Sequence, residues 1–294
     1  MKKITVLLLL LTLTVGLHAK TVDVGLAYTG DSHHFDRVQA SATAALNLNV
    51  LAGLEAKMTS ERAFKDPVYA VSMPVALDLE LIRINLRPFY YFKNKSDNPA
   101  FQDASAFGIA TQLRMAMRED EVNDIYSHAF ISAAFARQKG TVFFNDGTDQ
   151  NRYYSQMAYS LGLSNTFFNA FGLDLLGTIF QYPNGITDVA GLRSIMDQQE
   201  LANLQTLDVV HQLPNYTVGA RLTRMWTDNG SSLYVGYRYG EFHSTADKPE
   251  HSLIVGNSFI VAQRVSLDVM YNHVRTVHNK NRRDILAIQL NTSF

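Results

Sequence analysis

ILAIQLNTSF, residues 285–294, alternates along its whole length. Leu286, Ile288, Leu290, Thr292 and Phe294 fall on one face of an extended chain, and Ala287, Gln289, Asn291 and Ser293 fall on the other. Side chains on a strand point alternately to its two faces, so this stretch reads as a strand with one apolar side and one polar side. One such strand is not stable by itself, and the rest of the chain must supply its neighbours.

Working back from it, the same period recurs. Val265, Leu267, Val269 and Tyr271 oppose Ser266, Asp268 and Asn272; Leu253, Val255 and Phe259 oppose Ser252 and Ser258; Leu233, Val235, Tyr237 and Tyr239 oppose Gly236 and Arg238. Tyr216 to Leu222, Phe171 to Ile179, Tyr153 to Leu163, Phe107 to Met115, Ile82 to Phe92, Tyr69 to Leu79, Leu54 to Met58, Val38 to Leu48 and Val22 to Tyr28 repeat the pattern. Residues 124–136 are apolar on both faces and are taken as one further strand. The reading is all-β with about 14 strands.

The connections decide between a soluble sandwich and a closed barrel. Residues 50–52, 80–81, 118–123, 165–169, 227–231 and 261–263 form short connections. Those at 30–37, 93–103, 138–151, 183–214, 243–250 and 276–284 are longer and more polar, with 65–68 the exception. A sandwich has no reason to sort loop length by parity, whereas an up-and-down barrel with short turns at one rim does. Aromatics agree: Tyr28, Tyr69, Tyr90, Phe92, Phe107, Tyr153, Tyr216, Tyr239 and Tyr271 fall near one end of their strands, and Phe171, Trp226, Phe259 and Phe294 near the other. Two belts of rings suit two membrane interfaces.

A last strand that alternates and stops on Phe294 resembles the closing strand of Gram-negative outer-membrane β-barrels. The resemblance is architectural, spans the mature chain and carries no subfamily motif. It implies a transmembrane antiparallel up-and-down barrel over residues 20–294 with both termini periplasmic. Its expected surroundings are outer-membrane lipid and lipopolysaccharide, and its expected assembly partners are periplasmic chaperones and the barrel assembly machinery. Leu286, Ile288, Leu290 and Phe294 would carry the closing and assembly signal. The amino terminus fits: Lys2 and Lys3, an apolar run from Ile4 to Leu17, and small residues at Gly16 and Ala19 read as a signal peptide, residues 1–19, cleaved after Ala19. A retained anchor is the alternative, although the run is short for a spanning helix.

Composition narrows the function. Mean hydropathy of −0.07 with 18% charged residues excludes a helical membrane protein, and a net charge of −1 argues against nucleic acid as a partner. With no Cys there is no disulfide framework, thiolate site or lipoprotein anchor. The charges that would face the lumen are Glu55, Lys57, Glu61, Asp78, Glu80, Arg83, Arg87 and Arg114. They lie on consecutive strands of one inner wall, where Asp78 and Arg83 would pair across a hairpin. Opposed charges on such a wall can filter solutes, or can simply pair with one another. The long connection at 183–214 carries Val189, Leu192, Met196, Leu201, Leu204 and Leu207 at mixed three- and four-residue spacing. It suggests a helical turn, either folded into the lumen or packed on neighbouring loops.

Catalysis has little support. Ser127 and His128, and likewise His251 and Ser252, are adjacent on strands and point to opposite faces. Ser32 and His34 lie in a loop without oxyanion donors. His33, His34, Asp31 and Asp36 could meet His243, His251, His273 and His278 where the first and last strands adjoin, but scattered surface histidines explain them as well. Residues 145–149 lack the spacing and terminal Glu of a calcium loop. The leading expectation is a porin-like channel passing small hydrophilic solutes or ions without a cofactor. The alternatives are a non-conducting barrel acting in surface binding or assembly and, less favoured, a lipid hydrolase.

Overall fold

The structure is a computed structural model describing residues 21–61, 66–94, 103–120, 124–144, 147–183, 189–191, 196, 213–226, 230–243, 248–276 and 282–294. The signal-peptide reading, residues 1–19, lies outside them. The described strands are β1 Val22–Asp31, β2 Asp36–Ala45, β3 Val50–Ser60, β4 Val68–Ser72, β5 Val75–Leu79, β6 Ile82–Tyr91, β7 Ser105–Asp120 and β8 Ile125–Phe144. They continue with β9 Asp149–Phe167, β10 Phe171–Gln181, β11 Val189–Gly191, β12 Pro214–Met225, β13 Ser232–Phe242, β14 Glu250–Ala262, β15 Val265–Thr276 and β16 Arg282–Ser293.

All pair antiparallel with their neighbours, and two features reduce the list to a wall of 14. β4 and β5 are one wall strand interrupted at Met73–Pro74, where a proline nitrogen cannot donate to the ladder. Gly53 N donating to Pro74 O at 2.8 Å and Met73 N donating to Pro88 O at 3.0 Å carry the wall across the gap. β11 lies off the wall, paired to the far end of β8. β8 pairs β9 and β1 pairs β16, so the sheet closes. The seam runs from Asp23 opposite Ser293 to Asp31 opposite Ile285, so the first and last strands are neighbours as the terminal sequence requires.

The apolar face of the last strand points outward: Leu286, Ile288, Leu290 and Phe294 are all exposed. So are Leu26, Tyr28, Leu86, Tyr90, Ile109, Leu161, Leu222 and Val235 elsewhere around the wall. An apolar exterior on a closed sheet, with every strand edge paired, is the form in which strands cross a membrane. Both aromatic belts are present on this exterior. Tyr69, Phe107, Tyr153 and Tyr271 are exposed at the long-loop end, and Phe171, Trp226, Phe259 and Phe294 at the end carrying the termini.

Two expectations are corrected. Residues 138–151 are mostly strand rather than loop, because β8 and β9 keep pairing through Val142 opposite Gln150. β2 stops at Ala45, and the turn is 46–49 rather than 50–52; Asn47 Oδ1 accepts from Asn49 N at 2.8 Å and fixes it there. In the 183–214 connection, Val189–Gly191 is extended and bound to β8; apart from Met196, residues 192–212, where a helical turn is expected, lie outside the described residues.

The first long-end turn is pinned from inside. Asp31 Oδ1 accepts from His33 N at 2.8 Å and Phe35 N at 2.9 Å, while its other oxygen accepts from Arg283 Nε on β16. The Asp31 side chain is fully buried, and Phe35 packs into the lumen against Val274, Ile285 and Ala287. Replacing Asp31 with Ala would leave two backbone donors and the guanidinium without this carboxylate. It is expected to cost about 3–5 kcal/mol in unfolding experiments. Asp31→Asn, which keeps the oxygen that accepts both amides, should cost less.

Candidate functional site: the lumen wall

Register decides which side chains face inward, because directly paired residues share a face. Glu55 opposite Ser72, Asp78 opposite Arg83, and Arg83 opposite Arg114 put these side chains on one inner wall across β3, β4, β5, β6 and β7. Ser72 Oγ donates to Glu55 Oε2 at 2.9 Å, Arg87 Nη2 donates to the same oxygen at 2.5 Å, and Arg87 Nε donates to Ser72 Oγ at 3.3 Å. Nearer the terminal rim, Arg83 meets Asp78 at 3.9 Å and donates to Asn85 Oδ1 at 3.3 Å, and Asn85 donates to Gln112 at 3.0 Å. The anticipated hairpin pair therefore forms. Arg114 faces Arg83 directly, a like-charge rung.

Two of the expected wall residues, Glu80 and Glu61, sit elsewhere. Glu80 lies in the two-residue turn with φ of 51°, at the rim rather than on the wall. Glu61 lies one residue past the end of β3, at the opposite rim. Lys57 does face inward, opposite Gln39, but is buried.

Exposure tapers along this wall. Asp78 and Arg83 are 49% and 40% exposed, Glu55 and Arg87 only 17% and 19%, and Lys57, farther toward the long-loop end, 3%. Among these described wall residues, exposure is greatest at the terminal end of the lumen and least toward the long-loop end. On the far side, Arg221 Nε and Nη2 both donate to Asp174 Oδ2, at 2.8 and 2.7 Å, across β10 and β12. The sequence reading missed this pair. Each residue stood as a single polar position on its own strand, and only the register of β10 on β12 brings them opposite.

The long-loop half is not the uniformly polar interior that alternation suggested. Phe89, Tyr91, Ala106, Ala110, Ala134 and Ala158 form an inward-facing apolar wall with Phe180. Met196 of the long connection, 2% exposed, packs in this cluster. That explains why residues 124–136 are apolar on both faces: one face meets lipid and the other meets packed side chains. Beside the cluster, Tyr154 donates to Gln138, Gln138 to Gln156, and Gln156 to Tyr182 at 3.3 Å; Tyr182 in turn donates to Pro214 O at 2.6 Å.

Ser127 and His128 do split across the wall. His128 faces inward opposite Ser164, which itself lies opposite Asp174. A serine between the other two groups is the wrong order for a relay in which His must bridge Ser and Asp, and Asp174 is bonded to Arg221. His251 contacts the Tyr237 hydroxyl on the exterior. Of the loop acids and histidines, Asp31 bonds Arg283, and His273 bonds Asp284 at 2.7 Å. His278 lies outside the described residues.

No family model matches the chain, and no curated protein does. Solved structures match over nearly its full length. The CymD monoaromatic hydrocarbon channel aligns with a TM-score of 0.53 and 10% identity, covering 94% of this chain and 89% of its own. OccAB1 of Acinetobacter baumannii aligns at 0.51 and 8% identity, covering 93% and 95%. CdiB, also from Acinetobacter baumannii, aligns at 0.50 and 8%, covering 93% of this chain and 60% of its own. At these identities the likeness is one of fold, that of a closed antiparallel β-barrel, which in this chain has 14 strands.

Proposed function

We propose that this barrel is a porin-like channel for passive diffusion of small hydrophilic solutes or ions, with both termini in the periplasm and the 183–214 connection on the extracellular side. The observation that carries the proposal is the tapering charged wall. The Asp78–Arg83 pair, nearly half exposed and facing inward in a closed barrel, requires water beside it, and a vestibule lined by this pair, with Glu55 and Arg87 deeper in, gives permeating solutes an aqueous path. Conduction of this kind uses no cofactor and no catalytic group. Single-channel recording in planar bilayers should show steady openings, and silence from a folded barrel would sink the proposal.

The ion pairs fix the sign of a second expectation. Arg83 neutralises Asp78 and Arg87 neutralises Glu55, so replacing both arginines with glutamine leaves two uncompensated carboxylates on the wall. Reversal potentials should shift toward cations, by about two- to tenfold in permeability ratio at low salt, and the shift should shrink as salt screens the wall. An unchanged reversal potential would show that the wall does not filter.

A specific observation favours a second reading, a non-conducting barrel acting in surface binding or assembly. At the long-loop half, inward side chains are buried around the circumference, including Thr29, Gln156, Thr217, Ser252 and Asn272. A barrel permanently filled there would not conduct.

A further inference from the structure

The tyrosine belt at the long-loop end is electrostatically lopsided. On one side its hydroxyls donate to acids: Tyr28 to Asp36, Tyr271 to Asp284 at 2.6 Å and Tyr239 to Glu241 at 3.4 Å. On the β8–β9 side the partners are cations. The Arg137 guanidinium lies 5.0 Å from the Tyr153 ring centroid and Lys139 Nζ lies 5.9 Å from the same centroid. Register pairs Phe107 with Arg137 and Lys139 with Tyr153, so all four share the outward face. Tyr153 and Phe107 are exposed there, at the height of the belt.

The nearby described carboxylate is already engaged. Lys93 Nζ bonds Asp103 at 2.8 Å, and this bond, with a smaller contribution from Lys139, holds the Asp103 carboxyl below the usual carboxylate range. Among the described side chains, Lys93, Arg137 and Lys139 are thus set against one acid. Two cations over a single ring repel one another, and the ring face attracts each only weakly. An anion seated between them would remove the repulsion, and at an interfacial belt the available anion is a lipid phosphate.

We propose that Lys93, Arg137, Lys139 and Tyr153 form a seat for a headgroup phosphate of the phosphorylated glycolipid of the outer leaflet. The choice of leaflet rests on the orientation proposed above. The phosphate oxygens accept from the guanidinium and the two ammonium groups, while Tyr153 and Phe107 lie against the sugar and the upper acyl chains.

The test is lipid retention by the purified barrel in native mass spectrometry, with lipid A, the same glycolipid stripped of phosphate, and phosphatidylglycerol as probes. The intact barrel should retain lipid A about tenfold better than the stripped form. Replacing Arg137 and Lys139 with glutamine should abolish that preference, while Arg224→Gln, which removes the cation over Phe171 at the opposite rim, should leave it intact. Equal retention of both glycolipids, or an undiminished preference in the double variant, would overturn the seat. Equal retention of phosphatidylglycerol would overturn the assignment to the glycolipid. Orientation is read independently by labelling Asp103→Cys on intact cells with an impermeant thiol reagent, since the chain has no other Cys. Both variant positions lie outside the lumen, so a silent barrel would refute the channel without touching the lipid result.

Discussion

Deleting residues 191–203 is expected to raise single-channel conductance by about twofold or more while leaving the barrel closed. Eight strands already enclose a space that side chains alone can fill, so a wall of 14 encloses more than its own side chains can occupy. Yet the inward side chains of the long-loop half are buried, and Met196 of this connection sits among Phe89, Tyr91 and Phe180. The deletion removes Met196 and its neighbours. It spares the feet of the connection, where the Tyr182 hydroxyl donates to Pro214 O and ties the end of β10 to the start of β12. Loop shortening between fixed feet costs little. Met196→Asp offers a point version: burying a carboxylate in that apolar cluster is unfavourable by several kcal/mol, so the segment should leave it and openings should appear. Unchanged conductance in both variants, with the folded barrel confirmed by its heat-shifted gel mobility, would mean that the bore is limited elsewhere.

Gly108→Val should be the most damaging substitution in the wall, costing about 3 kcal/mol or more, or preventing folding outright. A Cβ at this position would lie 2.2 Å from the Phe135 carbonyl oxygen and 2.5 Å from Cζ of Phe89. The carbonyl belongs to the ladder of β8 and cannot retreat without loosening the register of β7 on β8. Phe89 is itself buried in the lumen cluster and has nowhere to swing. Gly162→Ala makes the contrast. Its Cβ would lie 2.0 Å from the Phe130 ring, the far end of a side chain that is only partly buried. A rotamer change relieves that clash, so the cost should be about 1 kcal/mol. Equal destabilisation of the two in denaturant titrations would show that the Phe130 ring is as fixed as the β8 backbone.

The wall itself was legible because it is written locally. Period-two alternation, short turns at one rim and rings at the strand ends are each visible within a dozen residues, and the strand pattern follows from them. Asp78 and Arg83 could be paired in advance because a two-residue turn sets their register. The lumen was harder, because inward residues were expected to meet water. Phe89, Tyr91, Phe130 and Phe180 point inward, and nothing in their own strands says that Met196, far along the chain, comes to lie on this wall. The apolar doubling at 124–136 was the available signal, but as a departure from alternation it could mark the strand without identifying what packs inside. Asp174 with Arg221 and Asp31 with Arg283 depend on registers between strands whose connecting segments fix no pairing by their length.

The seam carries a consequence for the order of events in assembly. Val22 and Phe294 exchange both backbone bonds, and the Ser293 hydroxyl donates to Asp23 across 270 residues of chain. That rung is about as nonlocal as a contact in this chain can be, so its loop-closure entropy falls due only when all the intervening hairpins are in place. Until then β1 and β16 are two bare edges with apolar flanks, each able to capture a strand from another molecule. A chain built this way is safest where something holds both edges apart from their competitors until they find each other, and its most vulnerable moment is the instant before completion.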